Sequence, residues 1–315
     1  MTIKYLDAAR PGRNQWWRYI LGLLAPCATV FVASFGLTLS LLTIGLLHPS
    51  DITTPSAVNS LIKKMPIWAI YMMSISVMSI MGASILVWID KMHQRNPFSV
   101  ICPDPNQAFN LKRCFNASIV WFSMSILSTS VLFRISISDF QTVKIIADPI
   151  SWLIYLIPAI ALILINTLSF GIITSYILQG VGLIIKNKLL LAVIIGLMLV
   201  CISALNNQKE PQHIQIQLAI IAFIYGVGTV IFILKENGLE LVLGIQAASS
   251  LVSRFIAYQP SGDSISSVLP PSIISIEKNT QIYSSLAAVS LIILCIKLAV
   301  FYAVFLRRSL PLTQE

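Results

Sequence analysis

Few residues in this chain could do acid–base, nucleophilic or metal chemistry, and most of them sit at the edges of long apolar runs. Lys297 is the exception, inside an apolar stretch that ends at Arg307. Ten residues at 1.5 Å each put it about 15 Å from the end of a helix, near the middle of a hydrocarbon core. An ionisable group at that depth is a substrate or ion contact, or else a lysine that snorkels or bonds a carbonyl; the second is the plainer expectation. Glu240 and Arg254 lie about 21 Å apart along one helix, too far to pair, and read as interfacial. His48 and His213 fall in outside loops and His93 in an inside loop. A metal centre within a helix bundle needs His or carboxylate ligands projecting inward. No metal and no cofactor are therefore expected, and no proton relay of Asp, Glu and His. Cys27, Cys102, Cys114, Cys201 and Cys295 form no C-x-x-C pair and read as buried small hydrophobes or free thiols. A Gly-rich phosphate loop, a nucleophile elbow and H-E-x-x-H are all absent from the sequence.

The elements that would position these residues follow from composition. Hydrophobic residues make up 57% of the chain and charged residues 10%, against about 25% charged in a soluble domain. A chain of 315 residues cannot hide that much apolar surface in its own core. In lipid, backbone groups must be satisfied internally, which leaves helix bundles and closed barrels. Long unbroken apolar runs, rather than short alternating ones, select the bundle. The expected fold is all-α, a polytopic transmembrane helix bundle in one domain over residues 1–315. About eight spans are expected, near 20–47, 67–89, 114–134, 150–175, 189–206, 215–234, 238–258 and 282–306.

Charge sets the orientation. With the N-terminus inside, 13 Lys and Arg fall in inside loops and 7 outside, Lys297 set aside; this predicts an N-in, C-in topology. The net charge of +9 is spread over several loops, so it speaks for topology and not for nucleic acid. The lipid bilayer is the expected partner. Trp16 and Trp17 precede the first span as interfacial anchors, and Trp88 and Trp152 flank others. The first apolar run is too long for a cleavable signal peptide. The fourth run, 149–185, exceeds one straight crossing. Pro158 is placed to kink it, and Tyr176–Ile185 is expected to continue as an amphipathic segment at the inner face. The stretches 90–113 and 259–281 are the longest hydrophilic ones, the second rich in Ser and Pro. The sequon Asn116-Ala117-Ser118 opens an apolar run and is taken as chance.

Several stretches carry a family resemblance. Tyr5-Leu6-Asp7-Ala8-Ala9-Arg10-Pro11-Gly12-Arg13-Asn14-Gln15-Trp16-Trp17-Arg18-Tyr19 resembles the start of many bacterial members of the CAAX-protease and bacteriocin-processing (CPBP, Abi-type) family. So do His93-Gln94-Arg95-Asn96-Pro97-Phe98 and Phe109-Asn110-Leu111-Lys112-Arg113. The resemblance runs loosely over nearly the whole chain and implies an eight-span fold. Active members are glutamate-dependent intramembrane endopeptidases with E-E-x-x-x-R, F-x-x-x-H and H-x-x-x-N motifs. Their Glu and His activate a water while Asn and Arg stabilise developing charge.

The chain keeps Ser175-Tyr176-Ile177-Leu178-Gln179-Gly180 after the first motif. The two Glu positions fall on Ser169 and Phe170, and the Arg position on Thr174. The His of the second motif falls on Ala204, with Asn206-Asn207 following. Gln246 and Ser250 replace the His and Asn of the third. None of these side chains serves as a general base near neutral pH without a partner. The resemblance thus implies a catalytically inactive CPBP-like protein, a pseudoprotease of the bacterial inner membrane, that binds a peptide or membrane-protein partner. An active endopeptidase, with Glu240 as the nearby carboxylate, is one alternative. A small transporter or membrane scaffold is another.

Overall fold

The computed structural model describes residues 4–10, 12–43, 66–102, 109–136, 143–145, 149–206, 208, 212–255, 274–276 and 283–306. His48, Asn207, the ends of the expected first and seventh spans and all but 274–276 of the stretch 259–281 lie outside the described residues.

A short helix α1 (Lys4–Asp7) precedes α2 (Trp16–Thr43). Helix α3 (Ile67–Trp88) runs on through a π turn, Ile89–His93, to a 3-10 turn at Pro97–Val100. Then come α4 (Leu111–Ser136), β1 (Val143–Ile145), α5 (Pro149–Ile184) and α6 (Lys188–Asn206). The chain continues with α7 (Gln212–Glu236), α8 (Glu240–Phe255), β2 (Ile274–Ile276) and α9 (Tyr283–Phe305). Among the described residues, six helices, α2 to α7, are long and apolar enough to cross a membrane. Helix α8 has 16 residues, and the described apolar part of α9 is Val289–Phe305. The two strands pair antiparallel, Lys144 opposite Ser275, and tie the α4–α5 connection to the α8–α9 connection.

Large apolar side chains such as Phe31, Ile157 and Leu197 cover the outside of the bundle. In water that surface would be an aggregation hazard; against lipid it is the ordinary exterior. Cys27, Cys201 and Cys295 are exposed in the same way, as free thiols, the second of the two readings their positions offered.

Between helices, small residues permit close approach, as they do where lipid removes the hydrophobic drive for association. A Cβ on Gly244 would stand 2.5 Å from the Cys114 carbonyl oxygen and 2.7 Å from Ala117 Cβ, so α8 crosses α4 at backbone distance. The Ser118 hydroxyl donates to the Gly244 carbonyl at the same crossing (3.0 Å). Helices α6 and α7 meet through Gly196 and Gly226, where a Cβ on Gly226 would lie 3.0 Å from Gly196 Cα.

Helix α5 departs from the sequence reading. It is one 36-residue helix with Pro158 inside it, and its last turns are core rather than surface. Tyr176, Leu178 and Gln179 are fully buried. The reason is tertiary: the N-terminal segment and the chain after α3 pack over them. Two non-glycine residues in left-handed conformation turn the chain at this end, Gln94 (φ 52) after the π turn and Asn237 (φ 55) after α7, a common way to close a helix.

Gly244→Ala is expected to force α4 and α8 apart at a cost of about 1–3 kcal/mol. Gly36→Ala, where a Cβ meets nothing within 4 Å, should be neutral or slightly stabilising. Thermal unfolding of both variants in detergent checks this, and equal midpoints would contradict the crossing.

Candidate functional site

Hydrogen bonds gather several helix ends at one end of the bundle. The Arg18 guanidinium donates to the Met92 carbonyl, and the Trp88 indole donates to the Arg18 carbonyl (3.0 Å). Arg113 on α4 pairs with Glu236 on α7 and donates to the Phe305 carbonyl on α9. The Asn110 backbone N–H donates to Glu240 at the start of α8 (3.4 Å).

Beneath the N-terminal segment lies a polar cluster. His93 is fully buried. Its Nδ1–H donates to the Arg13 carbonyl (3.0 Å), leaving Nε2 to accept from the Tyr176 hydroxyl (2.9 Å); the Arg13 bond fixes that tautomer. Arg95, 7% exposed, donates to the Ala8 carbonyl (3.1 Å) and lies 6.0 Å from the Tyr19 ring centroid. The Tyr5 hydroxyl meets Val100 O and the Ser175 hydroxyl. Gln179 donates to the Ser99 carbonyl (3.0 Å). Burial pushes the Tyr5 phenol up from its ordinary pKa, with the Ser175 hydrogen bond opposing. The sequence reading placed His93 in a loop and gave Tyr5, Tyr19 and Arg95 no role of their own. The only signal was that the opening segment, the loop after α3 and Ser175–Gln179 all belonged to stretches singled out together.

The six motif positions are distributed over three helices. Ser169 is buried on α5, and its hydroxyl donates to the Met78 carbonyl of α3 (2.7 Å). Phe170 is half-buried and Thr174 buried on the same helix. Helix α5 packs on α8, where Leu243 lies against Gly171. Gln246 and Ser250 on α8 are half-buried, and Gln246 accepts from the Tyr225 hydroxyl of α7 (3.0 Å). Ala204 is exposed near the end of α6. The structure thus puts the α5 and α8 positions on adjoining helices and leaves Ala204 apart from them. Glu240 bonds at the end of the bundle and does not pair with Lys297.

A second polar cluster joins α4, α8 and α9. Lys297 on α9 donates to the Ser125 hydroxyl of α4 (2.6 Å), and its ammonium stands 4.5 Å from the Trp121 ring centroid. Trp121, almost fully buried, donates through Nε1 to the Ser249 hydroxyl of α8 (2.9 Å). The depth follows from counting. Arg113 and Phe305 mark one level. Lys297 lies about 12 Å along α9 from Phe305, and Ser125 about 18 Å along α4 from Arg113. Side chains lean toward a helix's N-terminus, which on α9 is the far end. The lysine therefore reaches deeper to meet Ser125. Its partners in the structure are the Ser125 hydroxyl and the Trp121 ring. Among the described residues, no three His, Cys, Asp or Glu come together as a metal site.

Ser125→Ala strips the ammonium of its hydroxyl partner and is expected to cost about 1–3 kcal/mol. Ser130, exposed and bonded to Ile126 of its own helix, should tolerate the same change. Denaturant unfolding in bicelles separates the two; similar losses would mean that Lys297 is satisfied elsewhere.

No protein-family model, no curated protein and no solved structure matches this chain.

Proposed function

We propose that this chain is a CPBP-like integral membrane protein of eight spans, with both termini on the cytoplasmic face of a bacterial inner membrane. In this reading it does not hydrolyse peptides; it binds a peptide or membrane-protein partner. The observation that carries it is how the motif positions on α5 and α8 are used. Ser169 is bonded to α3 and Gln246 to Tyr225, so these side chains serve as interhelical hydrogen bonds where active relatives need a carboxylate and an imidazole. A hydroxyl and an amide cannot cycle a proton near neutral pH. The carboxylate at the start of α8, Glu240, is engaged at the end of the bundle. Support for spans beyond the six comes from α9, whose segment Val289–Phe305 is a further apolar helix; α8, with Glu240 and Arg254 near its ends, is taken as the remaining, more polar crossing. The sidedness is supported by the excess of Lys and Arg in the loops assigned to the inside.

Two measurements test this reading. Reporter fusions should report cytoplasm after residue 102 and the opposite side after residue 260; the reverse pattern would invert the topology. Purified protein in bicelles should leave a prenylated CAAX peptide uncut. Turnover that disappears in Gln246→Ala would overturn the non-catalytic reading.

A further inference from the structure

Lys297 is an interior cation without a counter-charge among the described residues. The described acidic side chains are Asp7, Asp90, Glu236 and Glu240. Asp7 pairs with Arg10 (2.8 Å), Asp90 with Lys91 (2.8 Å), Glu236 with Arg113, and Glu240 accepts from Asn110. Lys297 has the Ser125 hydroxyl and the Trp121 face. These engage part of a group that carries three donors, and neither supplies negative charge. An ammonium held in hydrocarbon without an anion costs several kcal/mol.

The surroundings show where an anion can come from. Helix α9 packs on α7 and α4, and its other side is exposed through Ile292, Ile296 and Val300. Ile126 and Leu127 are exposed on α4. Lys297 is half-buried at the α4–α9 seam, its amine on the buried Ser125 and Trp121 and the apolar flank beside it. Lipid phosphates sit at the interface, about 15 Å from the midplane, and a Lys297 reaching away from the nearer helix ends does not meet them. An anion at this depth is best delivered by a chain that itself crosses the bilayer.

We propose that the α4–α9 seam docks a transmembrane helix of a partner protein, and that Lys297 pairs with an Asp or Glu carboxylate near the middle of that helix. Charge complementarity selects this occupant. A purely apolar helix would fit the flank but leave the cation uncompensated, while a carboxylate pairs with it in a medium of low dielectric. Trp121 and Ser125 hold the amine ready, which lowers the ordering cost of the pair. The inference rests on the partner-binding reading and names the chemistry of the partner.

The test uses the full chain in phosphatidylcholine vesicles. Polyleucine helices of about 20 residues carry a single central Glu, Gln or Lys, and binding is read by energy transfer. The Glu helix should bind about tenfold tighter than the Gln helix, a difference of about 1.4 kcal/mol. Lys297→Met should erase that difference, Lys297→Arg should keep it, and Lys297→Glu should switch preference to the Lys helix. Equal binding of Glu and Gln helices to the wild type overturns the proposal. So does Lys297-dependent binding of palmitate with no helix preference, which would make the ligand a free carboxylate. A photoreactive residue at Ile296 in native membranes separates this failure from failure of the broader reading. A protein adduct that persists unchanged in Lys297→Met keeps a partner but removes the pairing. Lipid adducts alone, in both proteins, remove the partner as well.

Discussion

Hydrocarbon supplies no hydrogen bonds, and that constraint accounts for the placement of the polar groups in this bundle. The N-terminal segment, the first turn of α2 and the turns after α3 present carbonyls at this end of the bundle. Side chains meet them: Arg18 bonds Met92, Trp88 bonds Arg18, His93 bonds Arg13, Arg95 bonds Ala8 and Gln179 bonds Ser99. One set of contacts thus satisfies two needs, and it ties α2, α3 and α5 together at one end. The same rule explains Ser169 and Gln246, which bond across helices instead of projecting into an open site.

Much of the fold was legible because span length is a one-dimensional property. Charge-free runs pointed to the apolar helices α2 to α7, although the fourth span, expected near 150–175, belongs to a helix that reaches Ile184; Lys297 stood out as an ionisable group inside a later run. The buried end of α5 was not legible. Tyr176 and Gln179 look amphipathic in sequence because their polar atoms suit an interface; what buries them is the return of Tyr5 and the 94–101 segment, far away in the chain. His93 and Arg95 read as loop residues for the same reason. The direction of the Lys297 side chain was equally hidden, since it depends on α9 running opposite to α4 and on Ser125 facing it. The motif count located Gln246 but could not supply its partner, Tyr225, on another helix.

The two clusters divide the labour of the molecule. The one at the bundle's end bonds side chains to backbone carbonyls and packs them on neighbouring rings, although Arg95 Nε and Nη2 and Gln179 Oε1 are buried there without a hydrogen-bond partner. The one around Lys297 has no counter-charge among the described residues, at the seam of a helix that packs on two neighbours. A cation held away from water is costly unless it is paired, and a partner from outside the chain is the proposed completion.

The most direct measurement is nitrogen NMR of the Lys297 side chain in bilayers, with paramagnetic labels placed at the headgroup or at the middle of the lipid chain. An ammonium signal broadened chiefly by the mid-chain label is expected. An amine signal, or one broadened chiefly by the headgroup label, would contradict a cation held at mid-depth by Ser125 and Trp121.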